Sequence, residues 1–197
     1  MDTFTRKLVQ VGMGSHGNRW RQVVLANSRW QYAAVATLST SERETNINHL
    51  GLPRSCVTET LAQALSAAPD ADAVLITTPY FQHVSDISVA LQHQKDVLVE
   101  KPLAGNEEDV EEILAAARCT DSIIMVSENY RFREAARLLY EILSNGEIGP
   151  VEMVNIEYFV RHQFSIGDWR NELSYPVLIE NNTHHIDLLR YFLGCEV

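Results

Sequence analysis

The sequence predicts an α/β protein in which a mostly parallel sheet carries helices on both faces, and three observations support this. Short runs rich in Val, Ile and Leu alternate with longer stretches whose apolar residues recur at helical spacing. This alternation continues over the first 145 residues, which is typical of βαβ units. The short runs are apolar throughout, as strands buried on both faces are. The predicted strands cover residues 7–12, 31–38, 73–77, 96–100 and 122–127.

Helical patterns fill the intervals between these strands. The first covers residues 18–26, directly after a glycine-rich turn. The clearest begins at Asn106, a residue suited to capping a helix, and has three acidic residues in its first turn, where they favour the helix dipole. A third has an apolar stripe over residues 132–142 and ends at Asn145 and the glycine after it. Residues 56–70 are consistent with one short strand and one helix.

A different pattern begins after Pro150. Val154, Ile156, Tyr158 and Val160 alternate with more polar residues, as in a strand with one solvated face. About 47 residues follow Pro150, which is fewer than the roughly 50 to 200 residues of an independent domain. The sequence therefore predicts a first domain over residues 1–127 and the start of an α+β domain over residues 128–197, cut short or completed by another chain.

The composition is that of a soluble globular protein. Its 197 residues include 26 acidic and 16 basic side chains, for a net charge of −10. Nucleic acid is excluded as a partner because its phosphates need clustered Lys and Arg. There is no run of the roughly 18 apolar residues that span a membrane and no signal-peptide pattern, so we expect a cytoplasmic protein. Three widely spaced cysteines indicate neither a disulfide framework nor a CxxC metal site.

A glycine-rich turn gives the first indication of function. Gly12, Gly14 and Gly17 form GxGxxG around Ser15 and His16, between the first strand and the first helix. In that context Gly12 allows a tight turn, Gly14 lets the backbone approach a pyrophosphate, and Gly17 lets the helix pack closely on the strand. The start of the helix then offers backbone N–H donors to the phosphates. The alternative is a βα turn whose glycines are incidental.

The end of the second strand bears on which dinucleotide would bind. A site for NAD usually has Asp or Glu about 20 residues after the glycines, where it binds the ribose 2′-hydroxyl. No carboxylate is expected at this strand end, which carries the hydroxyls of Ser39, Thr40 and Ser41, and Arg43 close behind them is suited to a 2′-phosphate. The sequence therefore favours NADP over NAD. The alternative is a polar turn that caps the next helix through Thr40 or Ser41.

Several further motifs follow along nearly the whole chain. They are TTPYFQH at residues 77–83, VEKPLA at 99–104, YRF at 130–132, GEIG at 146–149, DWR at 168–170 and ENNTHHID at 180–187. In order and spacing these motifs resemble the Gfo/Idh/MocA family, the glucose-fructose oxidoreductase and inositol dehydrogenase type of NAD(P)-dependent enzyme.

The resemblance implies a Rossmann-type doubly wound parallel sheet, followed by an α+β domain that carries the substrate and mediates homo-oligomers. It implies hydride transfer between the nicotinamide and the hydroxyl-bearing carbon of a sugar, polyol or related small molecule, with Lys101, His184 and Glu180 as catalytic residues. The expected cofactor contacts are Gly12, Gly14, Ser15, His16, Gly17, Ser39, Thr40, Arg43, Thr78, Pro79, His83, Glu100 and Lys101. The expected substrate contacts are Tyr130, Trp169, Arg170 and His184.

The chemistry of these side chains agrees with that assignment. His184 is the candidate base, since oxidation of an alcohol needs an acceptor for the hydroxyl proton and imidazole titrates near neutrality. On a regular helix Glu180 would lie one turn before His184 and orient its ring. Lys101 would stabilise the developing alkoxide or move the proton, unless it is an ordinary solvated lysine. A metal is not expected, because Glu180 and His184 have no third ligand at helical spacing.

Three departures from the family pattern leave other functions open. Glu180 stands where most members have Asp, and Ser174, Tyr175 and Pro176 stand where many have glycines. Family members also continue for about one further domain of roughly 130 residues. The alternatives are therefore a nucleotide-binding sensor without catalysis, and an offshoot that uses bound NAD in glycoside cleavage or elimination.

Overall fold

The structure is a computed structural model that describes residues 5–161, 163, 165, 169–172 and 175–196. The chain divides into two compact units, Met1–Ser127 and Glu128–Val197. Within the described residues, no helix is long and apolar enough to cross a membrane.

The first unit alternates strands and helices. Its strands are β1 (Arg6–Val11), β2 (Trp30–Ala36), β3 (Val57–Thr58), β4 (Ala73–Ile76), β5 (Asp96–Val99) and β6 (Ile124–Val126). Its helices are α1 (Ser15–Leu25), α2 (Thr40–Leu50), α3 (Leu61–Ala67), α4 (His83–Gln92) and α5 (Glu107–Ala117). Helix α1 begins three residues earlier than the sequence predicts, so that the third glycine of the turn lies inside it.

The six strands form one parallel sheet in the order β3-β2-β1-β4-β5-β6. This is the doubly wound Rossmann order, and it confirms the predicted fold class. The order reverses at β1, so the carboxyl ends of β1 and β4 flank the crevice in which such sheets bind ligands. The motifs of the sequence analysis that follow β1, β2, β4 and β5 therefore share one edge of the sheet.

Both faces of the sheet are buried, because successive residues of each strand point to opposite sides. On one side Val9, Ile76 and Val99 pack against Leu65 of α3 and Ile87 of α4. Across the sheet, one buried cluster contains Leu8, Val24 and Leu75 and another contains Met13, Val35 and Val57, each packed with partly buried neighbours. Each fully buried side chain of this size contributes about 1.5 to 3 kcal/mol, which holds the strand ends in fixed positions.

The second unit is helical in its described part. It contains a 3₁₀ turn at Asn129–Phe132, α6 (Glu134–Ser144), a 3₁₀ turn at Trp169–Glu172, a π-helical turn at Leu178–Asn182 and α7 (Thr183–Leu193). Helices α6 and α7 pack through the stacked rings of Tyr140 and Tyr191, whose centroids are 4.4 Å apart.

The strand predicted over residues 154–160 is wrong. Residues 151–161 form no regular element, and Phe159 is 90% exposed. The alternation of apolar residues is present, but a strand is stable only when a neighbouring strand pairs with it, and no described residue of this chain does. Self-association through this C-terminal region stays a prediction.

Candidate functional site

The three glycines of the turn have different surroundings. Gly14 leaves space for the close approach of a ligand, whereas Gly12 and Gly17 pack closely against the backbone. Gly12 has a φ of 86°, and a Cβ there would lie 2.7 Å from the backbone of Thr77 and Thr78. A Cβ on Gly17 would lie 2.0 Å from the Gly12 carbonyl oxygen. A Cβ on Gly14, in contrast, would meet nothing within 4 Å. Gly12 and Gly17 are therefore required by the fold, whereas the space beside Gly14 is open.

The open space lies at the start of α1. Gly14 is the N-cap residue, no side chain caps the helix, and its first turn has no acidic residue. Ser15 and His16 are exposed. Backbone N–H groups at such an end, together with the positive end of the helix dipole, are suited to a diphosphate. The arrangement thus fits the pyrophosphate of a dinucleotide.

A buried polar network that the sequence analysis missed supports the turn. Thr77 Oγ1 donates to the Gly12 carbonyl oxygen at 2.5 Å, and Gln10 Nε2 donates to the Gly17 carbonyl oxygen at 3.0 Å. Gln10 is fully buried and accepts a hydrogen bond from the hydroxyl of Tyr32, whose pKa is raised by burial. The sequence does contain a signal for this network. Gln10 stands inside an otherwise apolar strand, and a buried amide needs hydrogen-bond partners.

At the end of β2, Arg43 is bound to its own chain. Its Nη1 donates to the carbonyl oxygens of Thr37 and Leu38 at 2.8 and 2.9 Å, and its Nη2 donates to Thr40 Oγ1 at 3.0 Å. A guanidinium has five N–H donors, so these bonds leave two for a ligand. Ser39 caps α2 by accepting from the Glu42 backbone N–H at 3.3 Å. The capping residue is thus Ser39 instead of Thr40 or Ser41.

The expectation that no carboxylate lies at this strand end is corrected by Glu42. Its carboxylate accepts a hydrogen bond from the hydroxyl of Thr37, the residue that follows β2. The sequence analysis missed it because Glu42 lies in the first turn of α2, and the helix returns it to the strand end. Glu42 and Arg43 therefore present opposite charges where the ribose of a dinucleotide would lie.

His83 lies beneath the loops that follow β4 and β5. It is 1% exposed, and its Nε2 and Nδ1 lie 3.0 and 3.1 Å from the carbonyl oxygens of Thr78 and Leu103. Its contribution to a cofactor site would therefore act through these loops. Thr78, followed by Pro79, also donates through its hydroxyl to Asp86 at 2.7 Å, and burial of the Asp86 carboxyl raises its pKa.

Glu100 joins the start of α1 to the end of β5. It is 7% exposed, and its Oε1 accepts from Trp20 Nε1 at 2.6 Å and lies 3.0 Å from His16 Nε2. Its Oε2 accepts from the backbone N–H of Lys101 at 3.1 Å. Burial acts to raise the pKa of Glu100, but the hydrogen bonds from His16 and Trp20 outweigh it, so the pKa is lowered. Lys101 itself is half-buried and is followed by a cis peptide bond to Pro102.

In the second unit, His184 has a carboxylate partner that the sequence analysis did not identify. His184 is 6% exposed, and its Nδ1 lies 2.5 Å from Glu128 Oε2. Glu180, expected to orient this ring, forms an ion pair with Arg170 at 3.5 Å. Glu180 also lies in the π-helical turn before α7, and not on the regular α-helix that the expectation assumed.

Tyr130 packs against both histidines of the motif. Its ring stacks on that of His184 with centroids 4.1 Å apart and planes 10° from parallel, and it meets His185 edge-on at 6.0 Å. His185 also packs on Tyr158 at 4.8 Å. Burial, and then the charges of His184 and Arg133, lower the pKa of His185. The two adjacent histidines therefore have different surroundings.

Some predicted site residues are only partly described. Trp169 begins a 3₁₀ turn that also contains Arg170. The side chain of Trp169, and residues 168 and 174 of the quoted motifs, lie outside the described residues. In the described part of the chain, no group of three His, Cys, Asp or Glu side chains could hold a metal ion.

Two family models match the chain. The model described as "Oxidoreductase family, NAD-binding Rossmann fold" matches residues 6–128, and the one described as "Oxidoreductase family, C-terminal alpha/beta domain" matches residues 141–197. The first match alone covers more than half of the chain.

Individual relatives agree with these matches. The inositol 2-dehydrogenase of Rhizobium meliloti is 31% identical over 146 residues, which are 74% of this chain and 43% of that protein. The 1,5-anhydro-D-fructose reductase of Ensifer adhaerens is 30% identical over 140 residues, 68% of this chain and 41% of that protein. The crystal structure of myo-inositol 2-dehydrogenase from Lactobacillus plantarum has the same fold, with a TM-score of 0.79 and 22% identity over 96% of this chain and 57% of that chain. This chain thus spans about half the length of these relatives, and it belongs to the Gfo/Idh/MocA oxidoreductase family with its NAD-binding Rossmann fold.

Proposed function

We propose that the protein takes part in hydride transfer between a nicotinamide dinucleotide and the hydroxyl-bearing carbon of a sugar, polyol or related small molecule. The observation that carries this proposal is the start of α1 at Gly14, where no side chain caps the helix and a Cβ would meet nothing within 4 Å. Two of the relatives named above, an inositol 2-dehydrogenase and a 1,5-anhydro-D-fructose reductase, support the substrate class.

The first unit would hold the dinucleotide. The Gly12–Gly17 turn and the N–H groups of α1 would bind the diphosphate, and Arg43 would lie at the adenosine ribose. When bound, the nicotinamide supplies the site that accepts or gives the hydride. Lys101, which follows β5 at the ligand edge of the sheet, would donate a hydrogen bond to the reacting oxygen and stabilise negative charge that develops there.

The second unit would supply the proton acceptor. His184 is almost fully buried and has a carboxylate on Nδ1, an arrangement that stabilises the imidazolium formed when the ring takes a proton. Two polar atoms beside it, Asn182 Oδ1 and Thr183 Oγ1, are buried without a hydrogen-bond partner among the described residues. Native proteins leave few such atoms unpaired outside functional regions.

The dinucleotide we propose is NADP. Arg43 is fixed by three hydrogen bonds to its own chain, and its two remaining donors suit a 2′-phosphate without further loss of side-chain freedom. Glu42 opposes this preference, because its carboxylate would repel the phosphate or accept a hydrogen bond from a free 2′-hydroxyl. In the proposal the attraction to Arg43 is the larger effect, because Arg43 would form direct charge-assisted hydrogen bonds to the phosphate, whereas Glu42, which accepts from Thr37, would act only through its charge.

The test is a titration of the full chain with NADPH and NADH, followed by a screen of polyols and sugars that monitors nicotinamide absorbance. We expect saturable binding with tighter affinity for NADPH, and turnover with at least one hydroxylated compound. Failure to bind either dinucleotide would overturn the proposal. Binding without turnover across the screen would favour the nucleotide-sensor alternative, and product formation without net change in the cofactor would favour elimination or glycoside cleavage.

A further inference from the structure

A carboxylate that the family motif does not indicate lies beside the proposed base. Glu128 is the first residue after the strand region of the Rossmann unit, and it precedes the 3₁₀ turn Asn129–Phe132. Its Oε2 lies 2.5 Å from His184 Nδ1, although the two residues are 56 positions apart in the chain. The side chain of Glu128 is 18% exposed and that of His184 is 8% exposed, so both are largely withdrawn from water.

We propose that Glu128 is the positioning residue for His184 and that it determines which ring nitrogen can take the substrate proton. This inference rests on the proposed function. An ionised carboxylate can only accept hydrogen bonds, so the nitrogen that faces Glu128 must carry a proton. The neutral ring then has its hydrogen on Nδ1 and its lone pair on Nε2, which becomes the base.

The proton balance of the step follows from this tautomer. The substrate hydroxyl would give its proton to Nε2 and the alcohol would become a carbonyl, with the bound dinucleotide supplying the acceptor for the hydride. The Nδ1 proton stays between the ring and Glu128, whose negative charge stabilises the imidazolium. In the reverse direction Nε2 returns the proton to the alkoxide as the hydride arrives.

The groups stacked around His184 fix the plane of its imidazole ring. Tyr130 stacks on His184 within 10° of parallel, and the guanidinium of Arg133 lies 3.5 Å from the centre of the Tyr130 ring. Rotation of the His184 ring about χ2 would break the stacking and move Nδ1 away from Glu128. Tyr130 therefore sets the ring plane and Glu128 sets the tautomer, which together leave one orientation for Nε2.

Glu180 has a different partner, which argues against it in this role. Its carboxylate is paired with the guanidinium of Arg170 at 3.5 Å. A carboxylate already held by an arginine is a weaker acceptor for an imidazole N–H, since its charge is partly neutralised. Glu180 thus serves as the matched control, because it is also a buried glutamate near the same helix.

The test reads the His184 tautomer directly, and so it does not depend on any catalytic activity. The full chain is labelled with ¹⁵N, and long-range ¹⁵N–¹H spectra are recorded at a pH where imidazoles are neutral. The His184 signals are identified by their loss in His184→Asn. We expect the wild-type ring to carry its proton on Nδ1, and Glu180→Gln to preserve this state.

In Glu128→Ala the Nδ1 preference should be lost, and Glu128→Asp should restore it at least in part. If the alanine variant does not fold, Glu128→Gln serves instead, and it should give a mixture of tautomers because an amide can accept or donate. A wild-type ring protonated on Nε2, or a tautomer that is the same in wild type, Glu128→Ala and Glu128→Gln, would overturn the inference.

Measurements of turnover distinguish a failure of this inference from a failure of the proposed function. With a substrate found in the screen, Glu128→Ala should lower kcat by about 10- to 100-fold and leave the affinity for NADPH unchanged, and Glu180→Gln should reduce kcat less. A wild-type Nδ1–H tautomer in a chain that turns over no compound would contradict the proposed function but not the arrangement of Glu128 and His184. Loss of kcat with an unchanged tautomer would contradict the inference alone.

Discussion

Trp20 of the first helix donates its indole N–H to Glu100 at the end of the fifth strand, across 2.6 Å and 80 positions of sequence. The same carboxylate contacts His16 and the backbone of Lys101. Glu100 therefore connects the glycine turn to the lysine proposed to act on the substrate. The contacts of Glu100 thus make it a link within the protein, and its expected contact with the cofactor stays a prediction.

Glu100→Gln should make the protein less stable at neutral pH. The pKa of Glu100 is lowered in the folded state, because hydrogen bonds from His16 and Trp20 outweigh the opposing effect of burial. A lowered pKa means that the carboxylate stabilises the fold above the pKa of the unfolded chain, about 4.3, and that this contribution is lost as the pH falls through the lowered value. We expect a loss of about 1 to 2 kcal/mol in the free energy of unfolding at pH 7.

The measurement is urea unfolding followed by circular dichroism, at neutral and at acid pH. The difference between wild type and Glu100→Gln should shrink at the acid pH. Glu111→Gln on the exposed face of α5 is the control, and its stability should match that of the wild type at both pH values. A Glu100→Gln penalty that grows as the pH falls would contradict the assignment of a stabilising charged form.

Gly14→Asp should separate cofactor binding from folding. An aspartate is a better N-cap than glycine and favours the helix dipole, so the free energy of unfolding should stay level or rise by a few tenths of a kcal/mol. Its charge would occupy the open space where the diphosphate is proposed to bind. We expect NADPH affinity to fall by at least about 100-fold, since a good charge-assisted interaction is replaced by repulsion.

Gly17→Ala should act on folding, in contrast to Gly14→Asp, because a Cβ at position 17 would lie 2.0 Å from the Gly12 carbonyl oxygen. Such overpacking should cost about 1 to 3 kcal/mol in the free energy of unfolding. Thermal unfolding and a fluorescence titration with NADPH would be run on both variants. An unchanged NADPH affinity in a folded Gly14→Asp protein would place the diphosphate elsewhere.

The sequence predicted the features that depend on neighbouring residues. The glycine turn, the order of strands and helices, and the cap at Asn106 are local, since spacing along the chain determines the conformation there. Contacts between distant residues were missed. Glu128 and His184 are 56 positions apart, and nothing in their spacing indicates that they meet.

Two other errors have equally physical causes. The carboxylate of Glu42 was missed at the end of β2 because α2 reverses the chain toward the strand it has just left. The strand expected over residues 154–160 has the right alternation, but its stability depends on a pairing partner. Apolar periodicity tells which face of a segment can be buried, and it does not tell whether another segment is present to bury it.

Arg43→Ala should change the preference between dinucleotides. Loss of a charge-assisted contact to a 2′-phosphate, worth roughly 1.5 to 3 kcal/mol, should weaken NADPH binding by about 10- to 100-fold and NADH binding far less. Glu42→Gln should act in the opposite sense, with NADPH bound as well as or better than in the wild type, because a repelling charge is removed. Isothermal titration of both variants with both dinucleotides provides the comparison, and equal loss of both ligands in Arg43→Ala would refute the 2′-phosphate assignment.

The adjacent histidines allow the proposed base to be tested against its neighbour. His184→Ala should reduce turnover of a hydroxylated substrate by about 10²- to 10⁴-fold, the usual contribution of a general base, while NADPH affinity changes by less than about twofold, because binding and proton transfer are separate contributions. His185→Ala should lower turnover much less, since His185 packs on Tyr130 and Tyr158 and is not the ring held by Glu128. Steady-state kinetics with fluorescence titrations measure both quantities. Equal loss in the two variants would mean that the packing of the Tyr130 cluster, and not proton transfer at His184, limits the reaction.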